Sequence, residues 1–172
     1  MNLKEFNNLI DLFFYQAEKQ NPQEIFLEWL NTVNKKKFTW SETVANIYKL
    51  SKILKNYVKK GDRVLLLSEN RPEWLIADLS IMLANAITVP AYTTYTEEDY
   101  NYLIEDCEPS VVIVSNNAMY KKLEKIINKK NFIKKIITFD VVAGANYGGK
   151  YLDFVNITKN NLLEEDKVKN VD

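Results

Sequence analysis

Four short apolar runs recur along the chain at a nearly constant interval: VLLL at 64–67, AITVPA at 86–91, VVIV at 111–114 and IITF at 136–139. Their first residues (64, 86, 111, 136) lie 22 to 25 positions apart. Runs this short, bounded by polar residues and largely β-branched, suit buried strands better than helices. Each gap carries one helical pattern. A tight turn cannot join parallel strands, and a helix is the usual crossover. The order β-α-β-α-β-α-β therefore specifies an α/β fold, with a parallel sheet and right-handed crossovers.

The flanking patterns agree with that frame. Tyr100, Leu103, Ile104 and Cys107 follow helical spacing after a Thr96 cap, with Glu97, Glu98 and Asp99 in the first turn. Met119, Leu123, Ile126 and Ile127 mark the next helix. Upstream, Phe6, Leu9, Ile10, Phe13 and Phe14 predict an amphipathic helix, capped by Asn2 with Glu5 and ending near Asn21–Pro22. EIFLEWL (24–30) and KKFTW (36–40) flank TVN and read as a hairpin. Thr39 and Glu42 form a T-x-x-E capping box, and Val44, Ile47, Ser51, Leu54 and Val58 keep one helical face. Lys55, Lys59 and Lys60 crowd its last turn, and Gly61 supplies the stop. Past Asp140 the pattern fades. VVAGANYGGK is loop-like, and NLLEEDKVKNVD is a charged, weakly structured end. Residues 1–140 are thus expected as one folded part, and 141–172 as an irregular tail or the start of a further segment.

Several function classes fall away on composition. Lys+Arg and Asp+Glu both number 23, so no charge excess points to nucleic acid. Arg63 and Arg71 are the only arginines, which weakens bidentate phosphate or base readout further. There is no histidine, the commonest general base and metal ligand. Cys107 is the only cysteine; no internal disulfide can form, and a cytoplasmic setting is expected. The apolar stretch from Trp74 to Val89 is interrupted by Asp78, Ser80 and Asn85 and closed by Pro90. It reads as a helix and strand in a soluble core, not a transmembrane segment.

The polar knot after the first strand, Asn70-Arg71-Pro72-Glu73-Trp74, is the leading site candidate. Asn70 as cap, Pro72 in the first turn and Glu73 at the third helical position are explained by helix initiation alone. Arg71 and Trp74 are less fully explained. Ligands of open parallel sheets bind outside the carboxyl ends of the strands, and the knot lies there. Tyr92, Thr93 and Thr94 follow the second strand at the same edge, so Arg71, Trp74, Tyr92 and Thr93 are the candidate crevice rim. GANYGGK (144–150) satisfies G-x-x-x-x-G-K formally. Tyr151 stands where a Ser or Thr should hold magnesium, and YLDFVN is not the required helix, so a chance match is the better reading. Cys107, without a histidine to activate it, reads as a buried inert thiol. The acids at 97–99 point in different directions on a helix and make no metal site. Lysines 121, 122, 125, 129 and 130 read as a solvated face. No nucleophile, base and oxyanion stabiliser come together, so no catalytic, cofactor-binding or metal-ligating residue is assigned in this chain.

The order of segments carries more information than any one of them. FTWSETVANIYKLSKIL, then KKGDRVLLLSENRPEWLIADLSIMLANAITVPAYTT, then a helix and EPSVVIVSN, resembles the N-terminal part of AMP-forming acyl-CoA synthetases of the adenylate-forming superfamily. Gly61-Asp62-Arg63-Val64, Asn70 to Trp74, and Val89-Pro90 with Tyr92-Thr93-Thr94 match the long-chain fatty acid–CoA ligase branch best. Within this pattern Gly61, Asn70, Pro72, Glu73 and Pro90 are structural residues. The resemblance covers roughly Asp11 to Asn116. Family members usually carry Gly-Ala before the second strand; here Asn85-Ala86 stands there, and asparagine tolerates the left-handed conformation next best.

The resemblance implies an α/β adenylation (AMP-binding) domain of which residues 1–140 are the N-terminal part. For the intact protein it implies ATP, Mg²⁺ and coenzyme A, with activation of a fatty acid to acyl-AMP and transfer to the CoA thiol. The family's phosphate loop, acidic metal motif, hinge and catalytic lysine match no segment here. The chain is therefore expected to be an N-terminal fragment, inactive alone and binding none of these cofactors tightly. Its expected partners are the fatty acid substrate and the missing C-terminal part, with no nucleic acid and with room for peripheral membrane contact. Two alternatives are a non-catalytic α/β binding or interaction module, and a fragment of a ligase for another carboxylic acid.

Overall fold

The computed structural model describes residues 6–30 and 35–159. Helix α1 (Leu9–Ala17) opens the described chain. Its cap is Asn8, whose side chain accepts from the Asp11 amide at 2.8 Å. The expected Asn2–Glu5 cap lies outside the described residues. The helix also ends at Ala17, short of Asn21–Pro22, where the Asn21 side chain accepts from the Gln23 amide and makes a turn of its own. Strands β1 (Ile25–Glu28) and β2 (Lys37–Thr39) form the expected antiparallel hairpin, with a register irregularity between Ile25 and Leu27. The TVN connection lies outside the described residues.

Helix α2 (Trp40–Leu54) starts on the complete capping box predicted for Thr39 and Glu42. Ile47, Ser51 and Leu54 are buried as its spacing requires. It stops at Lys55, so Lys59 and Lys60 lie beyond it. Gly61 (φ +82°) is therefore not the helix stop; it turns the chain into the sheet, and its amide donates to Asn85 O at 2.8 Å.

The four predicted strands are β3 (Arg63–Leu67), β4 (Ile87–Ala91), β5 (Val111–Val114) and β6 (Lys135–Thr138). Their crossovers are α3 (Pro72–Leu83), α4 (Glu97–Cys107) and α5 (Asn117–Ile127). A fifth strand, β7 (Tyr151–Asp153), is followed by α6 (Phe154–Lys159). The pattern read as fading past Asp140 thus regains structure at Tyr151. Three residues are too few to show a period, and β7 is reached through 139–150 without a crossover helix. The loop-like reading of VVAGANYGGK itself agrees with the structure.

All five strands run parallel, in the order β4-β3-β5-β6-β7. The chain steps from β3 outward to β4, crosses back over β3 to β5, and continues the other way. That reversal puts the crossovers on opposite faces. Val64, Leu66, Val111, Ile113 and Ile137 pack with α2, α3 and α6. Leu65, Leu67, Val112, Val114 and Ile136 pack with α4 and α5. Successive side chains of a strand point to opposite faces, so a strand covered on both must be apolar throughout; this explains the runs of β3, β5 and β6. The run at 86–91, expected as a buried strand, is instead the edge strand β4, with Ile87 and Pro90 exposed because no further strand among the described residues covers that side. Each such buried aliphatic contributes about 1.5–3 kcal/mol.

Helix α3 ends as the Asn85 substitution predicts. Asn85 is left-handed (φ 60°), its amide donates to Met82 O, and the Ala86 amide donates to Ile81 O. This is the Schellman pair of bonds that glycine usually permits. Among the described residues no helix is long and apolar enough to cross a membrane.

Candidate functional site

The reversal of strand order lies between β3 and β5, and in open parallel sheets the crevice outside the carboxyl ends at such a reversal is the default ligand site. The chain leaves β3 as Ser68-Glu69 and β5 as Ser115-Asn116. Glu69 bridges the two exits. Its carboxylate accepts from the Ser115 hydroxyl at 2.5 Å and from the Asn116 side-chain amide at 2.8 Å. Asn116 is held from its other end, because its carbonyl oxygen caps α5 through the Met119 amide. Burial pushes the Glu69 carboxyl up, and the Ser115 and Asn116 hydrogen bonds more than offset it, so it sits below its ordinary value. The strand-order reversal thus carries a fixed, ionised carboxylate.

Beside it, Arg71 ties β3 to β6. Its guanidinium is 1% exposed and makes two bidentate pairs, with Glu73 at 2.9 and 2.9 Å and with Asp140 at 2.8 and 3.0 Å. Lys36 adds an ammonium 2.7 Å from Glu73 and 3.6 Å from Asp140, leaving the group neutral. The guanidinium lies over the Trp29 ring, 4.7 Å from its centroid. Burial pushes the Glu73 and Asp140 carboxyls up, but the Arg71 hydrogen bonds and charge hold both below their ordinary values.

These contacts revise the reading of the knot. Asn70 does not cap α3: Arg71 occupies the cap position with extended backbone (φ −149°), and no side chain caps the helix. Pro72 forces that geometry on the residue before it, so the cap falls one position later than expected, and Glu73 becomes the second helical residue. Asn70 is left exposed. Trp74 packs half-buried against the core on the α2 side.

Tyr92 and Thr93 leave β4, the outer strand, on the far side of β3 from β5. The Tyr92 ring is 71% exposed. Its carbonyl accepts from the Tyr100 hydroxyl at 2.7 Å, while the Thr93 carbonyl accepts from the Lys122 ammonium. The four rim candidates are therefore not one cluster. Arg71 lies in the ion network, Trp74 in the core, and Tyr92 and Thr93 on the outer strand. The residues that do converge on the reversal are Glu69, Ser115 and Asn116, with Asp140 nearby through Arg71. Sequence reasoning missed them, although each is among the first polar residues after an apolar run.

The remaining motifs have structural uses. Lys150 of GANYGGK donates to the carbonyls of Ile127 at 3.2 Å and Lys130 at 3.5 Å, and β7 follows it rather than a helix. Burial pushes its pKa down. Asp99 completes the Thr96 capping box of α4. Cys107 is half-buried, and burial pushes its thiol up. Among the described residues no group of three or more Cys, Asp and Glu could hold a metal ion.

Known proteins place the fold in context. The model of the family "AMP-binding enzyme" matches residues 13–166. A long-chain-fatty-acid–CoA ligase, ACSBG2 of Gallus gallus, is 32% identical over 130 residues, 74% of this chain and 16% of that protein. The long-chain-fatty-acid–CoA ligase FadD15 of Mycobacterium tuberculosis is 36% identical over 61 residues, 36% of this chain and 10% of that protein. The crystal structure of the anthranilate CoA ligase AuaEII in complex with anthranoyl-AMP superposes with a TM-score of 0.77 at 21% identity, over 92% of this chain and 29% of that one. The chain thus spans between about a tenth and a third of the length of these relatives.

Proposed function

From a chain that belongs to the AMP-binding enzyme family, we propose an amino-terminal portion of a long-chain fatty acid–CoA ligase, acting in the cytoplasm. The observation that carries the reading is the family match over residues 13–166 on a doubly wound sheet whose reversal opens at its carboxyl edge. The relatives named for long-chain fatty acids support the substrate class.

In the proposed reaction a fatty acid carboxylate oxygen attacks the ATP α-phosphorus, and the bond to the β-phosphate oxygen breaks. Acyl-AMP forms and pyrophosphate leaves. The thiol of coenzyme A, losing its proton, then attacks the acyl carbon and AMP departs. Magnesium would neutralise phosphate charge in the first step. In the proposed reaction the phosphate and metal groups come from parts of the protein beyond the described residues, among which no group of three or more Cys, Asp and Glu could hold a metal ion. The described residues contribute the frame. Glu69, Ser115 and Asn116 fix the two strand exits at the reversal, and the Arg71 network locks the β3–α3 joint to the end of β6.

The reading frame beyond codon 172 provides a first test. The proposal expects an in-frame continuation with a Ser/Thr/Gly-rich loop, and formation of palmitoyl-AMP by the protein it encodes. A stop codon at that point, in a transcript translated as such, would overturn the ligase reading in favour of a binding module.

A further inference from the structure

A groove lies between α1 and the N-terminal half of α2. It is a half-open pocket of about 230 Å³, lined chiefly by Phe14, Trp40, Tyr48, Val44 and Glu18. The rings are braced by one another and by their neighbours. Phe14 and Tyr48 stack with centroids 5.0 Å apart. Trp40 stacks on Phe26 at 3.7 Å and lies 6.1 Å from Phe13. Rings held this way stay as walls and do not collapse into the space between them.

Among the described residues that line it, Glu18 alone is charged. Glu18 is exposed, and its carboxylate has no ion pair among the described residues. Its field reaches the groove: burial first, then the Glu18 charge, pushes the Tyr48 phenol up. The neighbouring cation, Lys19, lies over the Tyr15 ring, 3.6 Å from the centroid. That contact also shows a ring of this helix attracting an ammonium.

The lining discriminates among ligand classes. An anion would meet Glu18. A small inorganic cation would gain little from the rings and would lack the several oxygen ligands it needs. A neutral apolar group would gain nothing from the carboxylate. An alkylated ammonium gains from both, since its charge is drawn to ring faces and to the carboxylate while its methyl groups bury against the walls. We propose that the α1–α2 groove binds an organic cation of the quaternary or alkylated ammonium class, between Trp40 and the Phe14–Tyr48 pair and beside Glu18.

The test titrates the isotopically labelled chain with choline chloride and with dimethylbutanol, its neutral carbon isostere, at matched ionic strength. Amide and indole NMR signals are followed. Choline should give saturable shifts confined to α1, α2 and the Trp40 indole, with the isostere about tenfold weaker, a difference of about 1.4 kcal/mol. Glu18→Gln should lower choline affinity about fivefold without changing that of the isostere. Trp40→Phe provides a second variant that keeps a ring in place and should weaken choline further, because indole is the better cation partner. Equal affinities for the two compounds, absence of saturable choline shifts, or an unaffected Glu18→Gln variant would each overturn the proposal. A vesicle arm separates the sources. Pelleting with phosphatidylcholine vesicles supports a lipid headgroup, and choline binding without pelleting supports a free small cation. Pelleting with phosphatidylglycerol alone overturns the proposal.

Discussion

Arg71→Met should destabilise the chain by about 3–5 kcal/mol, the usual loss when one partner of a buried ion pair is removed. Methionine is apolar and of similar reach, and it can still lie against the Trp29 ring, so little of the loss comes from an empty cavity. The loss comes from what is left behind. Glu73, only 1% exposed, loses its bidentate partner and keeps Lys36, whose own side chain is 35% exposed. Removing both charges is another matter: Arg71→Met with Glu73→Met leaves no stranded carboxylate at that position and should cost about 1–2 kcal/mol or less. Asp140 is 43% exposed, so solvent screens it, and Asp140→Asn should cost at most about 1 kcal/mol. Urea unfolding followed by circular dichroism at neutral pH measures all of these. A single Arg71→Met loss below about 1 kcal/mol, or a double variant as damaged as the sum of its singles, would refute the reasoning. The pH dependence follows in sign. Glu73 and Asp140 are held below their ordinary values of 4.5 and 3.8, so near those values the unfolded chain binds more protons than the folded one. The stability they contribute is complete above the ordinary values and is lost as pH falls through the lowered ones. The urea midpoint of the wild type should therefore drop below about pH 4, and the double variant should drop less.

Substitutions at three positions test the joints around the sheet, each by the same unfolding assay. Asn70→Ala should change stability by no more than about 0.5 kcal/mol, since Asn70 caps nothing; a loss above about 1 kcal/mol would restore it as the α3 cap. Thr39→Ala removes one half of the α2 capping box and should cost about 1 kcal/mol. Asn85→Gly should be neutral or slightly stabilising at φ 60°, whereas Asn85→Val should cost about 1–2 kcal/mol; equal effects of the two would argue against the left-handed C-cap.

The parallel sheet was legible in the sequence because β3, β5 and β6 are buried on both faces, and double burial writes an unbroken apolar run; β4 kept such a run although it is an edge strand that is buried only in part. The Thr39 capping box and the Thr96 cap were legible for a related reason: their partners lie three residues away, inside any local window, although the Thr96–Asp99 box itself was seen only in the structure. The Asn70 cap failed locally too, because Pro72 fixes the residue before it as extended and shifts the cap to Arg71, a residue type with no capping oxygen. Strand β7 was hidden by its length, since Tyr151–Asp153 cannot display a period of two. The site was hidden by distance along the chain. Glu69 meets Ser115 and Asn116 from 46 and 47 positions away, and Arg71 meets Asp140 from 69. No spacing rule connects such residues. Only the strand order, with β5 placed beside β3 and β6 beside β5, brings them to one edge.

Under the proposed function, this chain supplies the frame of an acyl-activating enzyme while the groups that handle ATP come from the rest of the protein. ATP–pyrophosphate exchange with palmitate tests it most directly, run side by side on the 172-residue polypeptide and on the protein extended along its reading frame. The account predicts no palmitate-dependent exchange from the former and clear exchange from the latter. Robust exchange by the 172-residue polypeptide alone, or none by the extended protein, would contradict it.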